Sequence, residues 1–502
     1  MRGVVAAGHP VTAESGAEIL RAGGNAVDAA LAAMFTSFVA EPMLTGLGAG
    51  GYMLVAPPGS APVLLDFFVE APGRGLAPGA PHAPLQAVQV DFGDAVQVFN
   101  IGAAAVGPYG ALAGAWTAAR RFARLPPAEL VAPAVAAARA GVTVGERQSY
   151  LFGILEPITS ATPEARTLFM PDGHSPRPGD SHCDPALANT LERFAAEGPA
   201  PFYTGDVAET VCDWVAERGG LLTRADLAAY ATIERVPVRV GYRGQTVLTN
   251  PPPNAGGVLL AYALALLDRV PGPPSVAAIV GAMESAQAER TPAFLAGLTD
   301  PGFLERFSAS RLGATTHISA VDADGWACAV TCTNGEGCGE VVPGTGIHLN
   351  NMMGEQDLSP FGFHTHPPGR RLPSMMAPTM VLDPASAGGL VTASLGAPRL
   401  VLGSAGSNRI RSAILQVVIG VLDHGLDVQP AIDAPRVHLE DGVVYLEPGV
   451  ETVALEAEGR ALVRFATRNL FFGGAQAVLR DPVVGTLTGG CDPRRGGAVA
   501  IA

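Results

Sequence analysis

Apolar and polar positions follow helical spacing at the start of the chain and strand-like spacing soon after it. Thr12–Ala22 and Asn25–Ala40 are alanine-rich segments with the spacing of helices. A glycine-rich turn at 45–51 separates them from the apolar strand Tyr52–Ala56. Residues 70–110 are rich in proline and glycine and are predicted to be irregular.

Helical and strand-like patterns continue to alternate through the rest of the chain. Helices are predicted at about 110–141, 184–196 and 205–218, followed by a strand at Val236–Leu248. From Thr315 onward the spacing is mostly that of β-structure. No linker separates the two halves, so we predict one mixed α/β (α+β) unit rather than independent domains.

Composition narrows the class of protein. The chain has 502 residues, of which 48% are hydrophobic and 16% charged, as in a globular protein. All 32 basic residues are arginines, which excludes chemistry that needs a lysine amine, such as Schiff bases and P-loops. A net charge of −14 without a basic run argues against nucleic acid and membrane surfaces as partners. No export or membrane-spanning segment is recognisable, so we expect a cytoplasmic protein with six free cysteines.

One glycine pattern resembles a nucleotide-binding fingerprint. Gly46, Gly48 and Gly51 fit G-x-G-x-x-G, but that motif requires a preceding strand and a following helix. Here the predicted helix comes first and the strand second. A dinucleotide-binding oxidoreductase is therefore disfavoured.

The cysteines and histidines do not form a recognisable metal motif. Cys328, Cys332 and Cys338 contain no C-x-x-C pair, and buried cysteines explain them better. His364 and His366 lie in a proline-rich loop without a carboxylate cluster. We predict no metal site and no cofactor.

The strongest local pattern is a hairpin that begins at Thr315. Asp322 and Gly325 suit a type I turn closed by a glycine bulge, and this turn pairs residues whose numbers sum to 648. Thr315 then lies opposite Thr333 on one face, and the even-numbered positions, including Cys328, lie on the other. The two hydroxyls are expected to meet, although an ordinary hairpin would show the same pattern.

Several motifs in a fixed order resemble the γ-glutamyltransferase family. Thr315-Thr316-His317-x-Ser319 and the segment 343–351 resemble the start of the family's small subunit. Further matching segments run from His9 to beyond Arg411, and they include Asn25-Ala26-Val27-Asp28, Glu41-Pro42, Phe202-Tyr203, Asp226-Leu227, Pro251-Pro252-Pro253 and Gly403-Ser404-x-Gly406-Ser407-x-Arg409.

The resemblance implies an N-terminal-nucleophile (Ntn) hydrolase with a four-layer αββα sandwich. It implies self-cleavage between Ala314 and Thr315, which would give a large part, 1–314, and a small part, 315–502, that form one unit. Thr315 would supply both the attacking hydroxyl and, through its α-amine, the base. Thr333 matches the threonine that holds the nucleophile, and Gly406 and Ser407 match the oxyanion hole.

The residues that match the family's glutamyl-binding positions differ from the family pattern. Phe68 stands where the family has the arginine that binds the glutamyl α-carboxylate. Met352 replaces one residue of the amine site, whose acidic member matches Glu355. Of two adjacent serines, Ser374 remains and Met375 replaces the second. These positions predict altered recognition of the acyl group.

The predicted activity is transfer of an acyl group from a small-molecule amide, through an ester on Thr315, to water or an amine. The acyl group is γ-glutamyl or a related, less zwitterionic one. Asn334 is matched to the family's asparagine across a segment two residues shorter than usual. Two alternatives stay open: an ordinary glutathione hydrolase that binds the carboxylate through other residues, for which Arg370, Arg371 and Arg409 are candidates, and a silent homologue that never cleaves itself. The candidate assembly is a homo-oligomer of processed heterodimers.

Overall fold

The structure, a computed structural model, describes residues 1–91, 96–289, 298, 315–356, 358–359, 362–384 and 396–502. Ala314 lies outside the described residues. The helices, in chain order, are α1 (Pro10–Arg21), α2 (Ala26–Ala40), α3 (Ala111–Phe122), α4 (Pro127–Ala140), α5 (Glu146–Ile154), α6 (Glu156–Thr159), α7 (Pro163–Phe169), α8 (Pro185–Glu197), α9 (Ala200–Tyr203), α10 (Asp206–Glu217), α11 (Arg224–Ala229), α12 (Ala255–Leu267), α13 (Val276–Ala288), α14 (Arg409–Leu422), α15 (Val428–Asp433) and α16 (Val453–Ala457). Single 3₁₀ turns occur at Ala103–Ala105, Met352–Gly354 and Leu470–Phe472.

Two large antiparallel sheets form the centre of the molecule. Across the described residues, the first has the order β22 (Ala498–Ile501), β1 (Gly3–Ala7), β11 (Thr316–Asp322), β12 (Ala327–Thr333), β2 (Gly50–Ala56), β3 (Val63–Phe67) and β8 (Ile233–Arg235). The second has the order β21 (Leu487–Cys491), β20 (Gly474–Arg480), β16 (Pro398–Ala405), β15 (Thr379–Leu382), β10 (Gln245–Thr249) and β9 (Val238–Tyr242).

Shorter strands form small sheets around these two. The pairs are β4 (Gln86–Asp91) with β5 (Val96–Ile101), β6 (Val142–Thr143) with β7 (Ser181–His182), and β13 (Val341–Val342) with β14 (Ile347–His348). A three-stranded sheet contains β17 (Val437–Glu440), β18 (Val443–Leu446) and β19 (Ala461–Arg464).

The two large sheets face each other and helices cover both outer faces. Across the sheet interface, the Ser319 hydroxyl on β11 donates to the Gln476 carbonyl on β20 at 3.2 Å. The helices α1, α2 and α3 lie against the first sheet and α4 packs on α2, whereas α12, α14 and α15 cover the second sheet. Each helical layer shares a buried apolar cluster with its sheet. The predicted four-layer αββα sandwich is confirmed.

Both large sheets take strands from both sides of the predicted cleavage site. In the first sheet, β1 lies between β22 and β11, and β12 pairs with β2. In the second sheet, β10 pairs with β15. The two parts therefore share one core, and the division between residues 314 and 315 stays a prediction about processing.

Helix α2 anchors the hairpin that carries the candidate nucleophile. Its residues are all buried, which suits a helix that is apolar all round. Asn25 caps it through the Val27 and Asp28 amides, and the Ala26 amide donates to Asp322 Oδ2 at 2.9 Å. The Trp326 amide donates to Asp322 Oδ1 at 3.0 Å, so this carboxylate ties the hairpin turn to the helix start.

Two predicted elements differ from the structure. The single strand predicted at 236–248 is two strands, β9 and β10, because Arg243 and Gly244 both have positive φ and reverse the chain. The segment 70–110 contains the hairpin of β4 and β5, so the prediction of irregular structure was wrong there. The helices predicted at about 110–141 are α3 and α4, and Pro126 and Pro127 lie where the second of them begins.

Candidate active site

The predicted hairpin register is present. Thr316 pairs with Cys332 and Val321 with Ala327, so the numbers of paired residues sum to 648. Continued by one residue, this register places Thr315 opposite Thr333. The odd-numbered positions face the second sheet, whereas Cys328 and Cys332 belong to the apolar cluster under the helices. The candidate nucleophile therefore lies at the end of a central strand, in the space between the sheets.

The two threonine side chains are buried but not hydrogen-bonded to each other. Thr315 is 1% exposed, and its hydroxyl has no hydrogen-bond partner among the residues that the structure describes. Thr333 is 2% exposed, and its hydroxyl oxygen accepts from the Gly335 amide at 2.8 Å. The predicted opposition follows from the register, while the expected contact between the hydroxyls is absent.

Thr316 and His317, which follow the candidate nucleophile, make hydrogen bonds within the protein interior. The Thr316 hydroxyl donates to Glu41 Oε2 at 2.7 Å, and the Thr12 hydroxyl donates to Oε1 at 3.1 Å. Burial raises the pKa of Glu41 to about 7, and these two hydrogen bonds partly oppose the shift. Sequence inspection did not identify this carboxylate as part of the site.

The imidazole of His317 is enclosed by hydroxyl groups. Its Nδ1 lies 2.7 Å from Thr331 Oγ1 and its Nε2 lies 2.9 Å from Ser319 Oγ. Burial lowers the pKa of His317 to about 3, so the ring is neutral. A Cβ at Gly403 would lie 2.3 Å from His317 Cε1, which explains the glycine on the facing strand.

Gly406 and Ser407 form a sharp turn between β16 and α14. Their φ angles are +117° and +57°, and the second value is unusual for a residue with a side chain. Such strain is concentrated at functional sites because the surrounding structure must hold it. The turn presents backbone amides at the start of a helix, an arrangement that favours negative charge.

A narrow cleft beside this turn has charged and apolar walls. Glu336, Arg409 and Arg495 line it, together with Gly406, Ser407, Leu44, Gln97, Phe99, Leu151, Ile154, Leu155 and Leu470. Glu336 is only 8% exposed, and burial raises the pKa of its carboxyl despite nearby Arg495. Neither Glu336 nor Arg495 stands out in the sequence, because contacts between distant segments create this cleft.

The positions predicted to bind the acyl group lie in an apolar environment. Phe68 is 1% exposed and stacks on Tyr52, with ring centroids 5.6 Å apart. Met352 and Met375 belong to the same buried cluster. Phe68, Met352 and Met375 present neither a cation nor a hydrogen-bond donor to a carboxylate, whereas the buried Tyr52 carries a neutral hydroxyl.

Arg371 is close to Phe68, but its guanidinium is engaged. It donates to the Phe68 carbonyl and to the Ala231 carbonyl, the latter at 2.7 Å. Its Nη2 lies 3.3 Å from a Glu70 oxygen, and the guanidinium covers the Tyr230 ring at 4.8 Å. These contacts hold Arg371 in the protein interior rather than present it to a ligand.

Of the remaining predicted binding residues, Ser374 and Asn334 are hydrogen-bonded to the protein backbone, and Glu355 lies beside Gly335. The Ser374 hydroxyl accepts from the Met376 amide at 3.1 Å. The Asn334 amide group donates to the His348 carbonyl at 3.0 Å. A Cβ at Gly335 would lie 2.7 Å from Glu355 Oε1, so Gly335 rather than the Asn334 side chain lies against this acidic residue.

The free cysteines and the surroundings of the glycine-rich segment agree with the sequence-based expectations. All six cysteines are free thiols, and the described residues hold no cluster of metal-ligating side chains. Helix α2 precedes the Gly46–Gly51 segment and β2 follows it, the reverse of a dinucleotide fold. In the part of the chain that the structure describes, every helix is too short or too polar to span a bilayer.

Comparison with known proteins defines the class. The sequence model of the γ-glutamyltranspeptidase family matches residues 12–308 and 304–502, so the chain belongs to this family. Its fold and family make it an acyl-transfer hydrolase of the N-terminal-nucleophile class, as the sequence predicted.

Individual relatives include two kinds of proenzyme. The chain is 33% identical to the acylase ACY 1 proenzyme of Pseudomonas sp. (strain SE83), covering 100% of this chain and 94% of the relative. It is 32% identical to the glutathione hydrolase proenzyme of Pseudomonas aeruginosa, covering 87% and 82%. Cephalosporin acylase from Bacillus halodurans superposes with a TM-score of 0.82 at 26% identity, covering 100% and 96%.

Proposed function

We propose that the protein cleaves itself before Thr315 and then hydrolyses or transfers acyl groups from amides through an ester on that residue. Thr315 Oγ attacks the amide carbon while the α-amine of Thr315 takes the hydroxyl proton. The amine returns this proton to the leaving nitrogen as the carbon–nitrogen bond breaks. Water or a second amine then attacks the ester and regenerates the hydroxyl.

The geometry around Thr315 supports this role. Its hydroxyl is buried and makes no hydrogen bond to the described part of the chain, so no hydrogen bond to those residues has to be broken before attack. Because Thr333 Oγ1 already accepts from the Gly335 amide, its own proton is available to the nucleophile opposite. The strained turn at Gly406 and Ser407 would stabilise the oxyanion through backbone amides.

Mass spectrometry of the purified, denatured protein tests the processing step. We expect fragments 1–314 and 315–502, the second with 188 residues. The Thr315→Ala variant is expected to remain one chain, whereas Thr331→Ala, on the same face but bonded to His317, should still be cut. An intact wild-type chain after long incubation would favour the silent homologue.

For the acyl group, we propose a substrate without a free α-carboxylate. This proposal rests mainly on the buried stack of Phe68 on Tyr52. Met352 and Met375 lie in the same apolar cluster, and the Arg371 guanidinium is hydrogen-bonded to backbone carbonyls of the protein. A carboxylate buried there would meet no cation, and burying a charge without an oppositely charged partner is very costly. The Pseudomonas relative is named an acylase rather than a glutathione hydrolase, which fits an acyl group other than γ-glutamyl.

A γ-glutamyl group is the second candidate because part of an ammonium site is present. Glu355 is buried close to Gly335 and Asn351, where its carboxylate is placed to meet a cation. The similarity to the Pseudomonas aeruginosa glutathione hydrolase supports this alternative. It requires a carboxylate-binding residue other than the one at position 68.

Three 4-nitroanilides that differ by one group separate the candidates. γ-Glutamyl carries both charges, 4-aminobutyryl lacks the carboxylate, and butyryl lacks both. We expect kcat/KM for the 4-aminobutyryl or butyryl compound to exceed that for γ-glutamyl. In Glu355→Gln, only substrates with the ammonium should lose activity. A tenfold preference for γ-glutamyl over 4-aminobutyryl would refute the proposed acyl specificity.

A further inference from the structure

A cavity of about 600 Å³ lies between helix α7, the segment 171–186 and the turn between β13 and β14. Its volume is typical of sites for small organic ligands, which measure roughly 300–1,000 Å³. Most of the wall is apolar and includes Leu168, Pro171, Pro176, Val341 and Val342. The residues that line it include none of those assigned above to the candidate active site.

This wall also carries four carboxylates and, among the described residues that line it, no arginine. Glu164 belongs to α7, and Asp172, Asp180 and Asp184 belong to the segment that follows it. Within the part of the chain that the structure describes, none of the four forms an ion pair. An unbalanced negative lining attracts cations and repels anions, so the cavity favours a positively charged ligand.

The imidazole of His182 is a buried polar group on the same wall. It is 6% exposed and makes no hydrogen bond to the described residues. The ring stacks on Phe169, with centroids 6.0 Å apart. Burial lowers the pKa of His182 to about 4, so the ring is neutral, and one of its nitrogens is an acceptor. Because a buried acceptor without a donor is costly, a ligand N–H in the cavity would stabilise this imidazole.

Asp184 supplies a buried carboxylate two residues after this imidazole. Its Oδ1 accepts from the Leu187 amide at 2.9 Å, so the side chain caps helix α8 and is held in place. Asp184 is 5% exposed, and burial raises the pKa of its carboxyl. A bound ammonium would offset this desolvation, because an opposite charge nearby favours the ionised carboxylate.

An organic cation fits this cavity better than a metal ion does. The described residues hold no group of three or more histidine, cysteine, aspartate or glutamate side chains that could hold a metal. An inorganic ion would also leave the apolar wall in contact with water. An ammonium with an apolar body would cover that wall, while its N–H groups form charge-assisted hydrogen bonds.

We propose that this cavity binds protonated organic amines that carry an apolar body, such as arylalkylamines. The ammonium pairs with Asp184 and donates a hydrogen bond to His182. The apolar body lies against Leu168, Val341 and Val342. Binding here requires neither self-cleavage nor acyl transfer at Thr315, so it can be tested whether or not the enzyme turns over a donor.

Alkylation of Cys183 in the wild-type protein reports whether the cavity is occupied. Cys183 is exposed and lines the cavity, whereas Cys491 is partly exposed and does not line it. With iodoacetamide near neutral pH, we expect 2-phenylethylamine to slow alkylation of Cys183 saturably and to leave Cys491 unchanged. The uncharged 2-phenylethanol and the anionic 3-phenylpropanoate should need at least about tenfold higher concentrations for the same protection. Mass spectrometry measures both thiols in one sample.

Three results of this assay would overturn the proposal. Equal protection by the amine and the alcohol would mean that the apolar wall binds without selecting charge. Protection by none of the three compounds would mean that the cavity does not hold such ligands. Stronger protection by magnesium or zinc chloride than by the amine would assign the carboxylates to a metal ion.

Variants followed by ligand-observed NMR test the two named contacts. Asp184→Asn keeps a side chain that caps a helix but removes the charge, and His182→Phe keeps a ring but removes both nitrogens. Each should weaken binding of 2-phenylethylamine about tenfold or more, and thermal unfolding checks that each variant is folded. Asp180→Asn, whose amide can still accept from the Arg177 amide, provides the same test of charge if Asp184→Asn does not fold. Glu209→Gln removes a carboxylate outside the cavity and should bind like the wild type. Unchanged binding in the folded aspartate and histidine variants would reject the proposal.

Discussion

Replacing the buried carboxylate of Glu41 with an amide should change how stability depends on pH. Glu41 is 7% exposed and accepts from the hydroxyls of Thr12 and Thr316. Burial raises its pKa from 4.5 to about 7. Between these values the folded protein binds the proton more tightly than the unfolded chain, so the free energy of unfolding falls as pH rises.

The size of this effect follows from the shift. The gap between 4.5 and about 7, at roughly 1.36 kcal/mol for each pKa unit, gives about 3 kcal/mol. The stabilisation from the protonated form is complete below pH 4.5 and is lost as pH rises to 7. Glu41→Gln cannot titrate and should not show this contribution.

Urea denaturation from pH 4 to 8 measures the difference. It is performed in the Thr315→Ala background, which is expected to keep the chain continuous. Relative to Glu41→Gln, the parent should lose about 3 kcal/mol across this range. Glu14 lies in helix α1, where it is exposed and paired with Arg21, so Glu14→Gln is the matched control. Its free energy of unfolding should depend on pH as that of the parent does. Parallel profiles for the parent and Glu41→Gln would refute the assignment of a raised pKa.

Substitutions at three further positions test the site. Thr333→Ala should raise the activation free energy of turnover by about 0.5–1.5 kcal/mol, and by more if the Gly335 amide is left without a partner. Thr333→Ser should retain most of the rate. Unchanged kinetics in both variants would remove Thr333 from the mechanism. Gly403→Ala should destabilise the protein by about 1–3 kcal/mol, because its Cβ would overlap His317, and thermal unfolding measures this loss. Ser407→Gly should retain activity, since glycine adopts φ of +57° without strain, and Ser407→Val should lose it in the same kinetic assay.

The sequence alone determined the hairpin and the strand face that carries Thr315 and Thr333. The turn residues Asp322 and Gly325 set the register, and strand alternation then assigned Thr315 and Thr333 to one face and Cys328 to the other. These features depend on neighbours within about twenty residues. Motif order along the whole chain identified the family, and with it the four-layer fold.

Only the tertiary structure decided how the charged groups are used. Glu41 meets Thr316 across 275 residues, and Arg371 meets the Phe68 carbonyl across 303. No local pattern distinguishes an arginine that makes several hydrogen bonds within its own protein, such as Arg371, from one that makes a single side-chain hydrogen bond among the described residues, such as Arg495. The reason is that hydrogen bonding and desolvation depend on which distant segments pack together, whereas register and periodicity are properties of adjacent residues.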